Sequence, residues 1–188
     1  RTVQEDLREV APRMFLGVPR IWEKLHSSIY IRMLEAGGLR KRLFDWAINA
    51  CEPMAEKPWN RMGPGEKFTY LVAYVTVFRA LQNYIGLTRC KIAMTGAAPI
   101  SPRVVKFFRT MGVPIVEVYG ATETTGMVLA QSRDLLIEGS VGPVVCNAEA
   151  RLGEHGELLI RSDLVFEGYY RNDEATAATI RDGRLHTG

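Results

Sequence analysis

Cysteine and histidine are scarce in this chain, three of each among 188 residues, and neither is arranged for chemistry. Cys51, Cys90 and Cys146 lie far apart, odd in number and without paired spacing. That argues against a disulfide framework or a zinc site, and it fits a reducing cytosol. His26, His155 and His186 show no metal-ligand spacing and no partnered Ser or Cys nucleophile, so a hydrolytic triad has no support. Long apolar runs are missing too. The longest near-apolar stretch, residues 68–78, is far below the ~20 residues that span a bilayer and reads as a buried helix. The N-terminus does not read as a signal peptide, so a cytoplasmic location is expected. No internal repeat and no low-complexity tract is found.

Acidic residues are the other deficit, and a local one. Residues 1–112 hold 18 Lys/Arg against 9 Asp/Glu, whereas residues 113–188 hold 6 against 12, within a formal net charge of +3. Between residues 57 and 112 the only acid is Glu66. Such a basic face attracts phosphate-bearing ligands or an anionic membrane surface, or it is a solvated face balanced elsewhere. Nucleic acid fits less well, because no recognition motif accompanies the basic residues. The remaining composition, 47% hydrophobic and 24% charged, is that of an ordinary globular protein.

Two stretches about twenty residues apart carry the most information: Thr95-Gly96-Ala97-Ala98-Pro99 and Tyr119-Gly120-Ala121-Thr122-Glu123. Each sits where a predicted strand ends, after Ile92-Ala93-Met94 and after the run 113–118. Between them Ser101 suits an N-cap and Pro102 the first helical position; Val104, Phe108 and Met111 then recur at helical spacing up to Gly112. Strand, helix and strand in about thirty residues make a βαβ unit with parallel strands, so both loops are expected at the carboxyl edge of one sheet, where α/β folds bind ligands. Gly96, Ala97 and Ala98 carry almost no side chain, leaving the backbone open to a flat ring or an acyl chain. Tyr119 offers an aromatic face, Gly120 a permissive turn, Thr122 a hydroxyl and Glu123 a carboxylate suited to Mg²⁺. The plainer alternative is turn chemistry, with Thr122 capping a helix and Glu123 favouring its positive end.

Upstream, an amphipathic helix is expected from Pro19 to Ala36 with Trp22, Leu25, Ile29 and Met33 on one face, stopped at Gly37-Gly38. A second covers residues 39–51, and a loop at 52–65 separates it from a third at 66–85. Downstream, glycines punctuate short alternating runs such as 148–152 and 157–161, the signature of hairpins, and a small β-rich subdomain is expected to begin near Ser140. Asn172 is placed to cap a short helix over 173–178. The fold class is therefore α/β: a parallel βαβ sheet with helices over 1–139, then a β-rich portion of the same domain over 140–188.

Five segments in order resemble the adenylate-forming acyl-CoA synthetases, in particular the long-chain fatty acid CoA ligases. They are Phe15-Leu16-Gly17-Val18-Pro19-Arg20-Ile21-Trp22-Glu23-Lys24; Thr95 to Ser101; Tyr119 to Glu123; Gly156-Glu157-Leu158 with Gly168-Tyr169-Tyr170-Arg171-Asn172; and Asp182-Gly183-Arg184-Leu185-His186-Thr187-Gly188. Arg184 departs from the aromatic usual at its place. The resemblance implies part of the large N-terminal domain of such an enzyme. The family's Ser/Thr/Gly-rich phosphate loop, its ribose-binding aspartate and its C-terminal lysine domain have no counterpart in these residues, so the chain alone is expected to be inactive.

What the resemblance further implies is ATP and Mg²⁺ as cofactors, coenzyme A as co-substrate and a fatty acid as the carboxylate. Gly96, Ala97 and Ala98 would line the adenine and acyl site, with Glu117 and Val118 beside the adenine. Tyr119 would stack on the base within the segment Tyr119, Gly120 and Ala121; Thr122 would contact the α-phosphate and Glu123 would bind Mg²⁺. No general base is needed, because a fatty carboxylate with a pKa near ~4 to 5 is already ionised at neutral pH. An adenylating enzyme for another carboxylic acid, or a noncatalytic nucleotide-binding module, are the alternatives the residues leave open.

Overall fold

The computed structural model describes residues 2–132, 136–137, 139–145 and 147–188. The chain forms two compact units, Arg1–Val116 with Arg133–Gly139, and Glu117–Ser132 with Ser140–Gly188.

In the first unit, helices dominate. Helix α1 (Val3–Val10) begins in a capping box: Glu5 N–H donates to Thr2 Oγ1 and Thr2 N–H to the Glu5 carboxylate. The sequence reading has no element there, nor at strand β1 (Met14–Gly17). Helix α2 (Pro19–Ala36) has the expected bounds and buries Trp22, Leu25 and Ile29, while Gly37 ends it at positive φ. Helix α3 (Gly38–Cys51) follows at once. Residues 52–65 contain two single 3₁₀ turns, Glu52–Met54 and Trp59–Arg61.

The third expected helix starts earlier than foreseen and is not uniform: α4 (Pro64–Ala73) passes through a π-helical turn (Tyr74–Phe78) into α5 (Arg79–Ile85). The physical reason is in the β-branched run Val75-Thr76-Val77. Those side chains crowd the preceding turn, and Thr76 Oγ1 donates to Val72 O at 2.7 Å, adding a second claim on a carbonyl of the helical ladder. Strand β2 (Ile92–Thr95) pairs in parallel with β1, Phe15 opposite Ala93 and Gly17 opposite Thr95. Helix α6 (Pro102–Thr110) has Pro102 in its first turn and Ser101 at the N-cap position, where the hydroxyl makes no capping bond.

Trp22 ties these pieces together. It is fully buried, packed edge-on against Phe15 and Phe108 at 5.2 and 5.0 Å between ring centroids. Its indole N–H points between the Gly17 and Met94 carbonyls, at 3.1 and 3.3 Å, so the ring is apolar filling while its one donor is satisfied by β1 and β2. Burial of Arg109 on α6 is likewise matched: its Nε–H donates to Ile115 O at 2.9 Å and Glu56 lies 3.6 Å from the guanidinium.

Strand β3 (Ile115–Ala121) opens in the first unit and runs into the second, where Val118 to Ala121 pair antiparallel with β4 (Gly126–Ala130). The second unit also holds the sheet ordered β5 (Glu149–Leu152), β6 (Leu158–Arg161), β8 (Arg184–His186), β7 (Ile180–Arg181), antiparallel throughout. The alternating runs foreseen at 148–152 and 157–161 are the antiparallel pair β5–β6. Between β7 and β8 the two-residue turn Asp182-Gly183 has positive φ at both positions, the geometry that suits the twist of a tight hairpin. Helix α7 (Asp173–Thr179) is capped as expected, Asn172 Oδ1 accepting from Ala175 N–H at 3.1 Å.

Truncating Phe108, fully buried against Trp22, is expected to cost the chain about 3–5 kcal/mol in urea unfolding, whereas Tyr170→Ala, at a side chain 85% exposed, should stay within about 0.5 kcal/mol.

Candidate functional site

Tyr119, Gly120 and Ala121 are not loop residues: they are the last three residues of β3, and only Thr122–Thr124 form the 3₁₀ turn that ends it. Gly120 is required by close approach rather than by a turn. A Cβ there would meet Gly126 O at 2.0 Å and Met127 Cα at 2.8 Å, where the pairing of β3 and β4 shifts register between Tyr119 and Gly120. Thr124, which the sequence reading passes over, holds the turn. Its fully buried hydroxyl accepts from Ala121 N–H at 2.9 Å and lies 2.7 Å from Gly126 O and 2.9 Å from Ala121 O. With Thr124 doing the capping, Thr122 is left exposed to solvent and Glu123 half-buried.

A second segment straps this turn. Phe166 N–H donates to Glu123 O at 2.8 Å, Thr125 Oγ1 to Leu164 O at 2.7 Å, and the Tyr169 hydroxyl to Glu123 Oε1 at 2.6 Å. Phe166 packs edge-on to Tyr169, with ring centroids 4.8 Å apart, and orients it. The Tyr169 hydrogen bond is the largest cause holding the Glu123 carboxyl below the usual carboxylate range; the same bond raises the phenol of Tyr169.

Beside the turn opens a cavity of about 320 Å³, lined by Tyr119, Ala121, Glu123, Tyr169 and, from the β5–β8 sheet, Glu157, Arg181 and His186 through Gly188. Glu157 organises that far wall. One carboxylate oxygen accepts from Gly188 N–H at 3.2 Å and the other is 3.2 Å from His186 Nδ1, which is also 2.8 Å from Arg181 Nη2. Desolvation opposes ionisation of Glu157, but the Gly188 N–H, His186 and Arg181 outweigh it and bring its pKa down. Thr187 N–H donates to Leu158 O, fixing the chain between these contacts.

Of the residues singled out from sequence, Tyr119, Ala121 and Glu123 line this cavity. Gly120 and Thr122 flank them in the chain. Glu117 and Val118 lie earlier on β3, Glu117 O accepting from Gln131 N–H at 3.1 Å and Val118 paired with Ala130. Gly96, Ala97 and Ala98 belong to the first unit, in the turn after β2. Ala97 there has φ 69°, a left-handed conformation that a residue larger or more branched adopts with strain. At its root Thr95 Oγ1 is buried with no hydrogen-bond partner among the described residues, a polar atom open to a water or a ligand group. Glu157, Tyr169, Arg181 and His186 carried no role in the sequence reading. Glu157, Tyr169 and His186 stand inside recognisable segments, but no sequence spacing relates residues this far apart to Glu123.

Among the described residues no cluster of three or more His, Cys, Asp or Glu side chains could hold a metal by itself. One ionised carboxylate at a cavity wall is nevertheless the donor set that Mg²⁺ uses when substrate phosphates complete its shell.

The sequence profile of the family described as AMP-binding enzyme matches residues 1–170. The chain belongs to this family. It is 36% identical over 180 residues to the long-chain-fatty-acid–CoA ligase FadD15 of Mycobacterium bovis, covering 94% of this chain and 29% of that protein. It is 31% identical over 201 residues to the long-chain-fatty-acid–CoA ligase ACSBG2 of Rattus norvegicus, covering 100% of this chain and 29% of that one. The chain thus spans under a third of the length of those relatives. In fold it is similar to the o-succinylbenzoate CoA synthetase MenE of Bacillus subtilis in complex with an acyl-adenylate intermediate (TM-score 0.61, 17% identity, 100% of this chain and 31% of that one). The likeness to the same enzyme in complex with ATP and magnesium has TM-score 0.60, 16% identity and the same coverage.

Replacing Tyr169 by Phe removes the donor to Glu123. A pH titration of the Glu123 carboxyl carbon by NMR should then move its midpoint upward toward the ordinary glutamate value, since the lost bond favoured the ionised form; an unmoved midpoint would assign the shift to another cause.

Proposed function

We propose that this chain is part of an ATP-dependent long-chain fatty acid CoA ligase, which joins a fatty carboxylate to AMP and then to coenzyme A. The single observation that carries the reading is the cavity in which Tyr119, Ala121 and Glu123 meet the Glu157-anchored segment ending at Gly188. Support comes also from the family and from relatives bearing that name.

In this reading the substrate carboxylate needs no base. One of its oxygens attacks the α-phosphorus of ATP, pyrophosphate leaves, and the thiol of coenzyme A then attacks the acyl carbon and expels AMP. The protein's contribution is alignment and charge neutralisation. Tyr119 would give the adenine a face, and exposed Thr122 would give the α-phosphate a hydroxyl. Glu123 would hold Mg²⁺, which would neutralise charge spreading over the phosphate oxygens. Tyr169 and the Phe166 N–H keep Glu123 at the cavity wall.

In a full-length ligase carrying this sequence, Glu123→Gln is expected to lower fatty-acid-dependent ATP–pyrophosphate exchange by roughly a hundredfold or more, within the range for loss of an electrostatic stabiliser. Its melting temperature should hardly change, because Glu123 packs in neither core cluster. Exchange at the parent rate would contradict the role of Glu123. Exchange that rises with acyl chain length in the parent enzyme supports the fatty substrate, and exchange stimulated only by aryl or amino acids would replace it with another carboxylate.

A further inference from the structure

Another cavity, of about 290 Å³, lies in the helical unit and shares no lining residue with the one beside Glu123. Its floor is apolar: Met33 of α2, Leu43 of α3, Val77 of the π-helical turn, and Ala80 and Leu81 of α5. Val77 and Leu81 are buried, and Met33 packs against the same core, so the floor is fixed by the fold. The π turn matters here because its wider backbone turn sits in the wall that Thr76 and Val77 supply, and such insertions often mark functional positions.

The mouth is cationic. Arg32 and Arg40 line it, and the Arg32 guanidinium rests 4.3 Å from the centroid of the Tyr84 ring. Arg8 approaches the same ring at 4.4 Å. Two like charges against one ring repel. Among the described residues none of Arg8, Arg32 or Arg40 has a carboxylate partner, although other cations of the unit do, Lys41 with Asp45 and Lys57 with Glu66. Unneutralised guanidinium forks above an apolar floor are complementary to a ligand with an anionic head and a short apolar tail.

We propose that this cavity binds an amphipathic anion, an alkyl or aryl group bearing a carboxylate or phosphate, with the head held by Arg32 and Arg40 and the tail against Met33, Val77 and Leu81. The site is separate from the one that holds Glu123, and its occupation does not require adenylation. The test is local. The purified chain, labelled with ¹³C at the methionine methyls, is titrated with decanoate, decyl phosphate, inorganic phosphate and decanol, and the Met33 signal is identified by its loss in Met33→Leu. Decanoate or decyl phosphate, or both, should shift the Met33 signal saturably, and the two arms tell whether the head is a carboxylate, a phosphate or either. Decanol should bind roughly tenfold or more weakly, and so should the better amphiphile to the Arg32→Gln, Arg40→Gln double variant, whose exposed positions leave the thermal melt unchanged. Met33 unmoved by both amphiphiles, undiminished binding by the double variant, or binding of inorganic phosphate as tight as that of decyl phosphate would each overturn the proposal.

Discussion

The second unit turns on the way one short 3₁₀ turn is held. A turn of three residues at the end of a strand has few bonds of its own, and Glu123 in its middle would be free to swing into solvent. Here it is fixed from both sides. Thr124 closes the turn from within against Ala121 and Gly126, and the segment 164–169 closes it from without by hydrogen bonds to Glu123 O, to Thr125 Oγ1 and to the Glu123 carboxylate itself. The approach of Gly120 to the Gly126 backbone is what allows β3 and β4 to converge there. Take the strap away and the carboxylate loses both its position and the bond that favours its charge.

The opposite wall is built on the same logic with different parts. The Asp182-Gly183 turn folds β8 back beside β6, and Glu157 then bonds at once to His186 and to the Gly188 N–H. Two carboxylates thus face one cavity, each kept ionised by donors rather than by a neighbouring lysine. Such an arrangement favours ligands that bring hydroxyls or a cation to it. A bare anion would meet Glu123 and Glu157 with Arg181 the one Lys or Arg among the described lining residues to offset them, so the cavity favours a ligand that brings its own cation.

Much of this could be read from residue order. The Pro19–Ala36 helix, its buried face through Trp22 and Ile29, the Asn172 cap and the antiparallel pairing of β5 with β6 follow from periodicity and cap chemistry, which are local. Glu123 stood out because a carboxylate after a small-residue strand end is a short-range pattern. What stayed hidden was of two kinds. Short elements such as α1 and β1 carry too few residues for a period, and the π turn at 74–78 arises from crowding among Val75, Thr76 and Val77 within an otherwise regular helical pattern. The partners of Glu123 were hidden for a different reason: Tyr169 lies 46 residues along the chain, and only folding brings its hydroxyl to 2.6 Å. Thr122 and Thr124 look alike in sequence, yet the structure divides them, one buried in the turn and one left facing solvent.

The central claim is that the Glu123 turn and the Glu157-anchored segment form one nucleotide cavity. Its most direct test is an amide NMR titration of the chain with AMP. The account predicts saturable shifts concentrated at Tyr119 to Glu123 and at His186 to Gly188; shifts absent from both segments while binding elsewhere saturates, or no binding at millimolar AMP, would contradict it.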